Sequence, residues 1–201
     1  MGCSLSTCSW EYDAKHTKDI RNTSHPGWWR YLNKDHQYEV HAFIAGGLYT
    51  YLSFLKLIKD RLKTFDAVII QETFEPRISK LPKEYLDFIK YDNCKVYTYY
   101  CKRPPVVYDK VNNHLAKCVN QIDTLLSSYG IPTYVFAWHK ENNDYKWAKY
   151  LGIDYLSKMF WFNKNYHVFT SNWFGHFNLE GNEKIGKIIS RELRKISNGR
   201  I

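Results

Sequence analysis

Short apolar runs alternate with segments of helical period along most of this chain. Four runs with the character of β-strands cover residues 37–44, 67–71, 95–101 and 133–138. The second of them, AVIIQ, is apolar at nearly every position. Such a run is typical of a strand that is buried on both faces of a parallel sheet.

Helical segments lie between and after these runs, and three of them have a continuous apolar stripe. The stripes consist of Leu48, Leu52, Leu55, Ile58 and Leu62 in the first helix, Val111, Leu115, Cys118, Ile122 and Leu125 in the second, and Ile185, Ile188, Ile189, Leu193 and Ile196 in the last. The second helix is predicted over residues 107–129, because Gly130 and Pro132 form a conventional helix ending. The last helix begins at about Glu180. Residues 82–91 predict a shorter helix, since Pro82 suits a first helical turn.

This alternation predicts an α/β fold with a mainly parallel sheet, in a single domain that spans residues 1–201. In such folds the functional groups gather at the carboxyl ends of the strands, where loops meet the beginnings of helices.

Net charge, cysteine content and histidine spacing show which kinds of site the sequence disfavours. The formal net charge is +9, but the basic residues are scattered, which favours a solvated basic surface over a nucleic-acid site. The five cysteines form no CxxC pair and the histidines show no metal-ligand spacing, so neither a disulfide framework nor a metal site is predicted. No signal peptide is visible and the most apolar run, residues 42–55, is too short to cross a bilayer. We therefore expect a soluble, cytoplasmic protein with reduced thiols.

The opening residues, MGCSLSTCSW, allow two interpretations. Gly2 followed by Ser6 fits the pattern for N-myristoylation, with Cys3 as a second acyl site, and would make the protein a peripheral membrane protein. Alternatively, Ser4 is the nucleophile of a hydrolase, and Gly2-Cys3-Ser4 is the first block of its active site.

Three short blocks occur in an order that supports the second interpretation. They are Gly2-Cys3-Ser4, then Ile44-Ala45-Gly46-Gly47, then GHFNLEGNEKIGKII over residues 175–189. Together they resemble the SGNH/GDSL hydrolases, a family of esterases and acyl hydrolases. DAVIIQETFEPR, over residues 66–77, is similar to variants of that family that lack a typical third block.

The resemblance implies a three-layer α/β/α sandwich with a flavodoxin-like sheet, and an ester or acetyl group of a small molecule or glycan as the substrate. It implies that Ser4 is the nucleophile and His176 the general base, with no cofactor and no metal. It also implies an oxyanion hole formed by the backbone N–H groups of Ser4 and Gly47, with Gln71 as a further donor. Arg77 is a candidate for binding an anionic substrate group.

The sequence departs from the family pattern in three places. Trp173 and Phe174 stand where an Asp normally orients the histidine, which leaves Asn172 as the nearest polar substitute. The third block has no clear Asn. Only Met1 precedes Gly2, so either the first strand of the sheet is missing or truncated, or the true start lies upstream. The missing Asp and the missing third-block Asn favour an alternative to the hydrolase, in which the fold has lost catalysis and binds a glycan or an anionic partner.

Each candidate residue also has a purely structural interpretation. Ser4 and His176 are both suited to capping a helix, Gly46 and Gly47 to a strand-to-helix turn, and Arg77 to a surface ion pair. The aromatic stretches at residues 97–100 and 160–162 are either stacking platforms for bases or sugars, or ordinary strand and core material.

Overall fold

The computed structural model describes residues 1–3, 8–13, 18–71, 78–102, 108–136, 146–150 and 178–198. The strands are β1 Gly2–Cys3, β2 Cys8–Asp13, β3 Lys18–Pro26, β4 Tyr38–Ile44, β5 Val68–Gln71, β6 Asp87–Tyr91, β7 Cys94–Tyr100, β8 Thr133–Phe136 and β9 Lys149–Tyr150. The α-helices are α1 Leu48–Leu57, α2 Tyr108–Ser128 and α3 Leu179–Asn198, and 3₁₀ segments cover Trp28–Tyr31 and Lys59–Thr64.

The strands form parallel-dominated sheets. In one sheet β1, β4 and β7 run parallel and β6 pairs antiparallel to β7, in the order β1-β4-β7-β6. In another, β5, β8 and β9 are all parallel. Strands β2 and β3 form a separate antiparallel hairpin. This arrangement confirms the α/β class and the mainly parallel pairing.

Two backbone hydrogen bonds connect β1 to the second sheet. The amino group of Met1 donates to the carbonyl of Ile69 at 2.6 Å, and the N–H of Gln71 donates to the carbonyl of Met1 at 2.8 Å. Strand β1 therefore lies between β4 and β5. The first strand is present, although it is only two residues long.

Apolar clusters cover both faces of these strands, because alternate residues of a strand point to opposite sides. One cluster contains Val40, Tyr134 and Phe136 together with residues of α3. The other contains Phe43 and Val135 together with residues of α1 and α2. The helices thus bury their apolar stripes against opposite sides of β4 and β8.

A single glycine allows α3 to approach the Trp28–Tyr31 segment closely. A Cβ atom added at Gly186 would lie 2.2 Å from the carbonyl oxygen of Trp28 and 2.6 Å from the Cβ of Tyr31. No real Cβ contact is this short, so the two segments can pack in this way only because residue 186 has no side chain.

The predicted helix over residues 82–91 is wrong, because part of this range is strand β6. Residues alternate along β6, so that Ile89 and Tyr91 pack against the first cluster while Phe88 and Lys90 are exposed. Side-chain burial that alternates at every second residue is typical of a strand with one buried face. The two residues Asp92-Asn93 form the hairpin turn that connects β6 to β7. Pro82 suggested a helix start, but it lies in an irregular segment.

The remaining predicted elements agree with the structure within a few residues. The strands over 37–44, 67–71 and 95–101 correspond to β4, β5 and β7, and the beginning of the range 133–138 corresponds to β8, while residues 137 and 138 lie outside the described residues. Helices α2 and α3 confirm the two later helices, and the stripe residues whose burial is described, Cys118, Ile122 and Leu125 in α2 and Ile185, Ile188, Ile189 and Leu193 in α3, are buried or partly buried. Helix α1 ends at Leu57, and the chain continues as a 3₁₀ segment that buries Leu62.

The sequence did not predict the β2–β3 hairpin, the 3₁₀ segment at Trp28–Tyr31 or the short strand β9. Within the described parts of the chain, no helix combines the length and the apolar character needed to cross a bilayer.

Candidate functional site at the carboxyl edge of the sheet

Three neighbouring parallel strands end at the same edge of the sheet. Strand β4 ends at Ile44, β1 ends at Cys3, and β5 ends at Gln71. Cys3 pairs with Phe43, and Ser4 is the next residue along the chain. Ser4 itself lies outside the described residues. The strand that precedes it is nevertheless the middle one of the three, and its carboxyl end adjoins the Ala45-Gly46-Gly47 turn.

The turn after β4 is tight and holds a strained residue. The N–H of Gly46 donates to the carbonyl of Phe43 at 2.9 Å, and Ala45 between them has a φ of 59°. This left-handed conformation costs an alanine about 1 kcal/mol or more. A Cβ atom at Gly46 would lie 2.5 Å from the Cβ of Phe43, so glycine is required there for steric reasons. Backbone strain of this kind is often found at functional sites.

A chain of buried hydrogen bonds fixes this turn against a distant segment. The hydroxyl of Ser79 donates to the carbonyl of Ala45 at 2.8 Å, and the hydroxyl of Thr50 donates to the carbonyl of Ser79 at 2.8 Å. The N–H of Gly47 contacts Thr50 Oγ1 at 3.4 Å, which is long for a hydrogen bond. The segment around Ser79 thus stabilises the conformation of the turn and the beginning of α1.

Gln71 is fully buried at the end of β5, on the other side of β1. Its N–H donates to Met1, and its carbonyl accepts a hydrogen bond from the hydroxyl of Tyr51 at 3.2 Å. Both backbone groups are therefore engaged within the fold. If Gln71 donates a hydrogen bond to a substrate, its side-chain amide must do so.

Asn178 caps the beginning of α3. Its side-chain oxygen accepts a hydrogen bond from the N–H of Gly181 at 2.9 Å, which is the usual geometry of an N-cap. His176 precedes the cap by two residues and lies outside the described residues. Because Asn178 already caps the helix, a capping role for His176 is not needed to explain its position.

Helix α3 runs antiparallel to β4, and its beginning points toward the carboxyl edge. Ser190 accepts a hydrogen bond from the N–H of Asn33 at 2.6 Å, and the side chain of Asn33 accepts one from Tyr38, the first residue of β4. One turn earlier, Gly186 packs on Trp28, whose ring contacts Phe136 at the carboxyl end of β8. The first turn of α3 is thus directed to the edge at which β1 ends.

The thiol of Cys101, which lies near this edge, is not suited to nucleophilic catalysis. Cys101 follows β7 and its backbone N–H donates to Ile44. Burial raises the pKa of its thiol to about 11, so the thiolate is scarce at neutral pH. Burial also raises the pKa of Cys94 to about 12. These two residues and Cys118 are free, buried thiols.

A second group of titratable residues lies further back on β4. His41 is buried, with Nε2 2.8 Å from a carboxylate oxygen of Glu39 and Nδ1 3.2 Å from the hydroxyl of Tyr99. Burial lowers the pKa of His41, and Glu39 opposes this effect only in part. The hydrogen bond from His41 and the charge of Arg61 hold the pKa of Glu39 below its usual range. We infer a neutral His41 that donates to Glu39 and accepts from Tyr99.

Of the candidate residues, the structure describes Gly47 and Gln71, and it places them at the ends of the two strands that flank β1. Ser4, Arg77, Asn172 and His176 lie outside the described residues. Sequence analysis missed Tyr51, Thr50 and Ser79. Thr50, at the third position of a helix that follows a glycine pair, carries a weak signal, whereas nothing in the sequence singles out Ser79. The described segments contain no cluster of three or more His, Cys, Asp or Glu residues that could hold a metal ion.

No protein-family model matches this chain, and no curated protein or solved structure matches it significantly. A functional conclusion therefore depends on the fold and on the geometry of this edge.

Proposed function

We propose that this chain is a serine hydrolase of the SGNH type that cleaves an ester or acetyl group. The observation that carries the proposal is the convergence at one edge of the sheet. Strand β1 ends directly before Ser4, the strained turn before Gly47 adjoins it, and the beginning of α3, which His176 precedes by three residues in the sequence, is directed to the same edge.

The order of the parallel strands shares one feature with a flavodoxin-like sheet, a first strand flanked by the next two parallel strands, but β7 beside β4 departs from the flavodoxin order. When each strand is followed to the neighbour to which it is hydrogen-bonded, the spatial order of the parallel strands is β7, β4, β1, β5, β8. The first strand of the chain is therefore central, and later strands lie on both sides of it. In open sheets of this kind the ligand lies where the direction of winding changes, next to the first strand. We propose that the helices on the two faces complete a three-layer sandwich and that the substrate lies beside Ser4.

The proposed reaction proceeds in two steps. Ser4 Oγ attacks the carbonyl carbon of the substrate while its proton passes to His176, and the alcohol leaves with that proton as the acyl-enzyme forms. Water then attacks the acyl carbon and gives a proton to His176. As the tetrahedral intermediate collapses, the bond from the acyl carbon to Ser4 Oγ breaks, the acid is released, and His176 returns the proton to Ser4 Oγ. Asn172 would orient the histidine in place of the usual Asp, and Arg77 would bind an anionic part of the substrate.

We assign two described residues to the oxyanion hole, together with the Ser4 N–H. The N–H of Gly47 makes only a 3.4 Å contact with Thr50, and such a long hydrogen bond loses little when it is exchanged for a bond to an oxyanion. On the other side of β1, the side-chain amide of Gln71 is the proposed donor, since the backbone groups of this residue are engaged within the fold. We expect the loss of one donor to lower kcat by roughly 100-fold.

One observation favours the alternative, a catalytically impaired binding protein for a glycan or an anionic partner. Trp173 and Phe174 replace the orienting Asp, and losing that carboxylate lowers rates by orders of magnitude in related triads. The N-myristoylated alternative would require a different arrangement of the first residues, because Gly2 pairs with Ala42 inside β1 and the Met1 amino group donates to Ile69 of β5.

The test is covalent labelling with a fluorophosphonate, followed by intact mass and peptide mapping, together with hydrolysis of short p-nitrophenyl esters. We expect a single adduct on Ser4, and we expect Ser4→Ala and His176→Ala to lose both labelling and turnover while remaining folded. Ser128→Ala, at an exposed serine at the end of α2, serves as the control and should label normally. A folded protein without adduct or turnover would exclude the hydrolase and favour the binding protein.

A further inference from the structure

A cluster of aromatic rings lies on the sheet away from the proposed active site. The rings of Tyr85, Phe88 and Tyr97 contact one another, with centroids 5.6 Å apart for Tyr85 and Tyr97 and 4.9 Å apart for Phe88 and Tyr97. Tyr85 is 53% exposed and Phe88 is 41% exposed. Tyr97 in turn stacks on His41, and the planes of the two rings differ by only 6°. A fixed group of rings is therefore presented to solvent.

The strand register shows which side of β6 and β7 carries these rings. The residues that alternate with them, Cys94 and Val96 on β7 and Ile89 and Tyr91 on β6, belong to or pack against the cluster beside α3. Phe88 and Tyr97, which are paired, therefore point to the opposite side. We call this surface the β6–β7 platform, which consists of Tyr85, Phe88, Lys90, Lys95 and Tyr97.

Two lysines stand directly opposite each other on the platform. Lys90 pairs with Lys95 across the antiparallel strands, and both side chains are exposed. Like charges in directly opposite positions destabilise a sheet. Among the described residues neither lysine has an ion-pair partner. The acidic residue in register with Lys95 is Glu39, and its carboxylate is already bonded to Arg61 and His41.

We propose that the β6–β7 platform binds single-stranded nucleic acid. Exposed rings on and beside adjacent strands provide surfaces on which unpaired bases stack, and two exposed lysines beside them, which have no ion-pair partner among the described residues, fit a phosphate backbone. The mutual repulsion of the lysines falls when a phosphate lies between them. A neutral glycan would use the rings but would gain nothing from the paired lysines. The scattered basic residues of the sequence gave no sign of such a site, because Lys90 and Lys95 meet only through the β6–β7 hairpin.

The test is fluorescence anisotropy of labelled oligothymidylate and oligouridylate of about ten nucleotides, a length suited to a small stacking site. Phe88→Ala should weaken binding about 10-fold through the loss of one stacked base. Lys90→Glu should weaken binding and lower the slope of log Kd against log salt by about 0.7. The same change should keep or raise the thermal midpoint, because the introduced carboxylate would form an ion pair with Lys95 in place of the repulsion.

The control is Lys117→Glu, which makes the same charge change on an exposed position of α2 and should leave the affinity nearly unchanged. Three outcomes of the anisotropy measurements would overturn the proposal. They are the absence of binding at low salt by the folded protein, equal loss of affinity in the Lys117 control, and duplex binding as tight as single-strand binding. Capture of a neutral oligosaccharide that Phe88→Ala abolishes and Lys90→Glu leaves intact would also overturn it, in favour of a glycan.

Discussion

Replacing Gly186 with alanine tests the close packing of α3 on the Trp28–Tyr31 segment. In an exposed helix this substitution would stabilise the protein by about 1 kcal/mol, because alanine has the higher helix propensity. Here the new methyl group would meet the carbonyl oxygen of Trp28 at 2.2 Å. The steric conflict and the helix propensity therefore act in opposite directions, so the sign of the effect is informative.

The size of the change in the free energy of unfolding depends on how far the Trp28 backbone would have to move to make room for the new methyl group. An ordinary contact between these atoms requires more than 3 Å, so the Trp28 carbonyl would have to retreat by about 1 Å. That carbonyl belongs to the backbone of a segment whose side chains, Trp28 and Trp29, are buried in the core beside α3. Overpacking costs about 1–3 kcal/mol, and we expect the upper part of that range, about 2–3 kcal/mol, because the atom that must move belongs to the backbone. After the gain of about 1 kcal/mol in helix propensity, the expected net loss is roughly 1–2 kcal/mol.

Urea denaturation followed by tryptophan fluorescence and by far-UV circular dichroism measures this loss, and the slope of the transition should not change. Gly130→Ala is the informative control, since Gly130 has a φ of 65° and no atom within 4 Å of an added Cβ. It should lose about 1 kcal/mol through backbone strain alone. If Gly186→Ala proved as stable as the wild type or more stable, the close approach of α3 to Trp28 would be refuted.

Two further predictions concern the turn after β4 and the buried histidine. Ala45→Gly should raise the free energy of unfolding by about 0.5–1 kcal/mol, because glycine adopts the left-handed conformation without strain, and a lower value in urea denaturation would contradict the turn geometry. Burial lowers the pKa of His41, whereas the ring titrates at about 6.5 in the unfolded chain, so the unfolded state binds a proton that the folded state excludes. Stability should therefore fall as the pH drops below about 7, and His41→Gln should reduce this dependence while His36→Gln, at an exposed histidine, should not. Equal pH profiles for all three proteins would contradict the neutral, buried His41.

Sequence patterns predicted most of the regular structure because the signals are local. Period-two and continuous apolar runs identified β4, β5 and β7, and the 3.6-residue stripes identified α2 and α3. Gly130, with its positive φ, marked the end of α2. For the site, the order of the three blocks predicted a serine, a glycine turn and a histidine at one edge of a parallel sheet. The structure confirms the glycine turn, while the two catalytic assignments stay predictions.

Tertiary structure alone decided the features that depend on residues far apart in the chain. Met1 reaches the backbone of Ile69 and Gln71, and this contact gives β1 its central position. Ser79 and Thr50 fix the turn at Ala45 across a separation of 29 residues or more. The helix expected over residues 82–91 was wrong because strand pairing with β7 outweighs a local start signal.

The physical reason for this division is the range of the forces involved. The periodicity of side-chain burial depends on the backbone geometry of each element, and the sequence displays it directly. Strand order, register and buried hydrogen bonds depend instead on which donors and acceptors from distant parts of the chain pair with each other when water is excluded. Ser4 and His176 are recognisable by residue type and order, but only the sheet brings the segments that precede and follow them to a common edge.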